Sequence, residues 1–215
     1  MTKNPWCRLV YPAMLAIAFI GVAPHAGAQE KAPQYVDAAT RLRFPATLAE
    51  LRFETVRDFG NPNLGYCAVY RGGDALGQIC VYDLGHRDLP TGIDSTVFRD
   101  ALGVAVDATL RGFSSGPFRN GQLIAEGTPA IEVDGKIAMA EMRMFTSETE
   151  RENAVVASNW HLILMTTGLG KILKLNYTST AADSEQFIDQ SKAVLVDFIG
   201  YNEPLMKQLL AARKK

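Results

Sequence analysis

Cysteine is scarce in this 215-residue chain, three in all, and histidine is equally rare at three. Those counts exclude a disulfide-dense scaffold, and they leave no recurring Cys/His spacing for a structural zinc site. Neither sign of charge is in excess, since 22 basic residues meet 23 acidic ones, and nothing in that balance favours nucleic acid. The longest apolar run, residues 13–23, is 11 residues long, well short of the roughly 20 that a membrane-spanning helix requires. What is present is an ordinary globular composition of 47% hydrophobic, 21% charged and 9% aromatic residues.

The apolar run has a meaning of its own. Lys3 and Arg8 precede it, and Ala26-Gly27-Ala28 follows it with the small-x-small pattern of a signal peptidase site. Residues 1–28 therefore read as a cleavable export signal, with the mature chain starting at Gln29 and carrying no transmembrane segment. Removing Lys3 and Arg8 takes two of the 22 basic residues and leaves 20 against 23, a net charge of −3. The protein is expected in the periplasm or outside the cell.

Export makes the cysteines informative. Cys7 leaves with the signal, so Cys67 and Cys80 remain as a pair in an oxidising compartment. They flank Gly72-Gly73-Asp74, which is turn chemistry between two short aromatic and β-branched runs. With Gly73-Asp74 as a two-residue loop, Cys67 faces Cys80 at a non-hydrogen-bonded position, where strand backbones lie closest and a disulfide reaches across.

Residues 29–41 are polar and without period, and read as a flexible arm; the domain spans 42–200 and a short helical tail occupies 201–215. Apolar residues at a 3,4 spacing predict a helix over 95–111, with Asp94 as N-cap candidate. A second helix begins at Asp183 or Ser184 and ends at Gly200. Strands are predicted at 51–59, 122–126 and 130–134, and Asp134-Gly135 turns into a continuous strand over 136–146. After a polar stretch at 147–153 come strands at 154–166 and 171–177. Gly168-Leu169-Gly170-Lys171 reads as a hairpin turn, because a phosphate loop needs glycine at Met165 and a hydroxyl residue at Ile172. The fold class is α+β, one domain with a largely antiparallel sheet flanked by two main helices. Its element order over 42–200 resembles the PsbP/Mog1-like group, whose members carry a central antiparallel sheet between helices. That resemblance rests on element order and implies fold alone.

Strand alternation gathers Glu141, Arg143, Asn159 and His161 on one sheet face, extended by Lys174 and Asn176. This face is the candidate binding surface. A carboxylate beside a histidine also permits acid–base chemistry, but no catalytic residue, metal or cofactor is assigned. The function read from the sequence is a non-catalytic accessory or adaptor protein of the cell envelope, binding an envelope protein or a small ligand. His161→Ala is accordingly expected to leave the fold largely intact. Two other classes stay open. A hydrolase-like enzyme would show titrating residues converging in a pocket, and a small-molecule carrier would show an apolar cavity between sheet and helix.

Overall fold

The computed structural model describes residues 33–115, 117–133, 136–151 and 154–211. The proposed signal at 1–28, the Asp134-Gly135 turn and the Arg213-Lys214-Lys215 tail lie outside them. Short runs of alternating polarity form β1 (Tyr35–Val36), β2 (Arg43–Phe44), β3 (Thr47–Leu48), β4 (Leu51–Asp58), β5 (Tyr66–Gly72) and β6 (Ala75–Tyr82). Helix α1 (Thr96–Ser115) follows, then β7 (Phe118–Gly127), β8 (Ala130–Val133), β9 (Lys136–Met139), β10 (Glu141–Arg151), β11 (Ala154–Gly168) and β12 (Lys171–Ser179). Helices α2 (Ser184–Tyr201) and α3 (Glu203–Ala211) close the order.

Eight strands make one antiparallel sheet in the order β3-β4-β5-β6-β12-β11-β10-β7, an α+β arrangement. Because β12 returns to lie beside β6, the two hairpin series on either side of α1 merge into a single sheet. Successive side chains of β11 then serve two cores. Leu162 and Leu164 join Phe187, Val194 and Phe198 of α2, whereas Ile163 and Met165 join Phe98, Ala101 and Leu102 of α1.

Helix capping differs in detail from the sequence expectation. Ser95 Oγ, not Asp94, accepts the Phe98 N–H at 3.1 Å at the start of α1. Asp183 does cap α2, accepting from Gln186 N at 2.9 Å. The helix runs past Gly200 because buried Asn202 ends it with its side chain, donating to the Phe198 carbonyl at 3.0 Å and the Arg43 carbonyl at 2.9 Å. Asn202 Oδ1 also accepts from Arg43 N at 2.8 Å, so one amide stops α2 and holds β2.

Three further readings are corrected. Residues 34–44, assigned mostly to a flexible arm, form the β1–β2 hairpin, and the Tyr35 ring packs 5.3 Å from Tyr66 and 5.7 Å from Phe44. The strand expected over 136–146 breaks at Ala140, whose N–H bonds to the Pro129 carbonyl at 3.0 Å; β8 and β9 leave the main sheet as a separate hairpin. The polar stretch after Thr146 is strand as far as Arg151, paired with the start of β11 through a register shift between Thr149 and Glu150.

Candidate functional site

Local geometry produces the disulfide. Gly73, with φ +56°, takes the left-handed turn conformation, and the β5–β6 register pairs Gly72 with Ala75 and Cys67 with Cys80. The two sulfurs are bonded.

The proposed polar face is split by what covers it. His161 is 7% exposed and Asn159 6%, and the end of α1 and the start of β7 close over the imidazole. The rings of Phe113 and Phe118 lie 4.8 Å and 5.2 Å from the imidazole. Asn159 donates to Thr149 Oγ1 at 2.7 Å. Glu141 and Arg143 sit further along β10, separated from His161 by fully buried Phe145, which is the residue paired with His161. There Arg143 bonds Glu141 at 2.8 Å and Glu126 at 3.3 Å, a half-buried ion cluster joined by Thr128 Oγ1 donating to Glu141 at 3.1 Å. The four residues share a face but form two separate groups. Lys174 also lies on the α1 side, over the Tyr82 ring, with its pKa lowered by burial.

Ser147 was missed because its surroundings read as a polar loop. Its Oγ is 2.7 Å from His161 Nε2, and Thr178 Oγ1 is 3.0 Å from Nδ1. A hydroxyl against an imidazole is nucleophile–base geometry. Here the third member is a hydroxyl in place of a carboxylate, and Ser147 is only 2% exposed. Burial pushes the His161 pKa down to about 4, so the ring is neutral at pH 7 and serves as a hydrogen-bonding plug in an aromatic layer. A spelling the sequence reading passed over, Gly112-Phe113-Ser114-Ser115-Gly116, fits the nucleophile-elbow pattern. That pattern requires a strand-to-helix turn, whereas this stretch includes the last turn of α1, and Ser114 is exposed.

On the opposite face the structure contains a pocket. An apolar cavity of about 90 Å³ lies between sheet residues Ile79, Leu164 and Leu175, α2 residues Val194, Phe198 and Ile199, and Met206 of α3. Ile131, Ala138 and Met139 of the β8–β9 hairpin complete its wall. It reaches Thr91, Gly92, Thr166 and Thr167, where β11 has run beyond Glu141, the first residue of β10. Two of the rim hydroxyls are engaged: Thr166 donates to the Met139 carbonyl at 2.8 Å, and Thr167 Oγ1 bonds the Pro90 and Gly92 carbonyls. Lys174 also borders the space, but its ammonium is turned to the Tyr82 ring on the other face, so the space accepts hydrocarbon.

No family model matches the chain, and no curated protein matches it. The fold is similar to the solution structure of cyanobacterial PsbP from Synechocystis sp. PCC 6803. Identity is 14% and the TM-score 0.46, over 83% of this chain and 96% of that one. This is a weak structural resemblance, matching the one expected from element order. Among the described residues no helix is long and apolar enough to cross a membrane, and no group of three or more His, Cys, Asp or Glu is placed to hold a metal ion.

Proposed function

We propose that this is an exported, non-catalytic binding protein of the cell envelope, and that its recognition element is the apolar pocket beneath α2. The pocket carries the reading: it is the cavity between sheet and helix that a carrier requires, and nearly every side chain around it is apolar. The export pattern at residues 1–28 and the Cys67–Cys80 bond support the location. At about 90 Å³ the space suits a group of roughly three or four carbons, given that a cavity near 150 Å³ holds benzene. Such a group is the end of an alkyl chain or one aliphatic side chain of a partner.

The test is a titration of the mature protein with 1-butanol, read from methyl NMR signals of Ile79, Leu164 and Val194. These signals are expected to shift saturably in wild type and not in Ala138→Leu, which fills the cavity from the hairpin side. Absence of any saturable shift in wild type overturns the reading. A hydrolase acting through Ser147 and His161 is the second reading, favoured by their 2.7 Å contact. Saturable labelling of Ser147 by a fluorophosphonate, lost in His161→Ala, would replace the first reading with it.

A further inference from the structure

The wall of the pocket formed by the β8–β9 hairpin is built differently from the rest. The β8 and β9 strands pair only with each other, over Ala130–Met139, Ile131–Ala138, Glu132–Ile137 and Val133–Lys136, and have no ladder to the eight-stranded sheet. At its base Pro129 has no N–H to extend the β7 ladder, and its carbonyl takes the Ala140 N–H. Where the hairpin meets the sheet, the hydroxyl of Thr166 holds the Met139 carbonyl at 2.8 Å. On its other flank it rests on α3, a nine-residue helix at the end of the described chain. The Thr166 hydrogen bond and apolar contact hold Ile131, Ala138 and Met139 over the pocket, whereas Leu164 and Leu175 are fixed by ladders on both sides.

We infer that the β8–β9 hairpin is a flap, hinged at Pro129 and Ala140 and latched by Thr166, whose lifting lets the pocket accept aliphatic chains longer than it holds with the hairpin seated. This rests on the binding function proposed above and names its ligand class, an uncharged alkyl chain, and its control. The class follows from the lining. Among the described residues around the cavity the charged one is Lys174, whose ammonium lies over the Tyr82 ring on the α1 face, and the hydroxyls of Thr166 and Thr167 are already donating to carbonyls. A charged head would lose its water without gaining a partner. The hairpin is also the wall that moves at least cost, because lifting it breaks no inter-strand ladder, whereas moving α2 would uncover Phe187, Val194 and Phe198 together.

The experiment uses the mature full-length protein, its Thr166→Val variant, which keeps the shape and removes the latch, and Thr166→Ser, which restores a hydroxyl. Backbone amide exchange is followed in the hairpin and in β11, without ligand and with 1-butanol or 1-octanol. Wild-type hairpin amides are expected to exchange at least tenfold faster than those of β11. Thr166→Val should accelerate them several-fold further, and Thr166→Ser should return them towards wild type. 1-Butanol, which fits beneath the seated hairpin, is expected to slow hairpin exchange, while 1-octanol, which needs the hairpin lifted, is expected to speed it. Hairpin amides exchanging as slowly as β11, or insensitive to Thr166→Val, overturn the flap. If the pocket methyl signals respond to neither alcohol, the binding reading fails on its own, and the exchange arm still decides whether the hairpin opens.

Discussion

Ser147 Oγ and His161 Nε2 lie 2.7 Å apart on neighbouring strands, yet the two residues are 2% and 7% exposed, and Phe113 and Phe118 pack against the imidazole. A pair with the spacing of a catalytic dyad is here part of the core. Its consequences are for stability and pH.

Burial lowers the His161 pKa from 6.5 to about 4, so the unfolded chain binds the proton more readily than the folded one. The neutral ring contributes its full stabilisation above pH 6.5, and that contribution is lost as pH falls towards 4, by up to about 3 kcal/mol. His161→Ala should cost about 2–4 kcal/mol at pH 7, from the space left between two phenyl rings and the hydroxyls left without their partner. Urea denaturation of both proteins at pH 7, 5.5 and 4.5 checks it, because the gap between them must narrow as pH falls. A constant gap would contradict a neutral buried ring.

Gly121 makes room for the seal. A Cβ built there would sit 1.9 Å from Phe113 Cδ2, so Gly121→Ala must displace the ring that covers His161. The expected loss is about 1–3 kcal/mol. It should be accompanied by a rise in the His161 pKa, followed by imidazole NMR shifts, as water reaches the ring. An unmoved pKa would mean that Phe113 does not control access.

The Cys67–Cys80 bond closes a hairpin with a sequence separation of 13. Constraining a loop of that length in the unfolded chain is worth about 3 kcal/mol. The double variant Cys67→Ala/Cys80→Ala should therefore stay folded at 25 °C with a thermal midpoint lowered by several degrees. Alkylation mass before and after reduction verifies the bond in the exported protein, since a free pair would label without reductant.

What the chain determined by itself was local. Gly73 takes a left-handed turn, so the two-residue loop and the register that opposes Cys67 to Cys80 follow within about fifteen residues. The 3,4 spacing of Phe98, Ala101, Leu102 and Ala105 dictates one apolar stripe on α1, and Asp183 starts α2. Alternation likewise placed Glu141, Arg143, Asn159 and His161 on one face, as the sheet does. Whether that face met water was not a local property. It depended on α1 lying back over β7 and β11, which buried His161 and Asn159 and left Arg143 beside Glu126. The pocket depended on more distant events still: β12 pairing with β6, the sheet losing β10 at Glu141, and Asn202 ending α2 against Arg43, 159 positions away in the chain. Periodicity reports which residues share a side of one element. Which elements cover one another is decided by contacts between distant segments, and on those the burial of every polar group here depended.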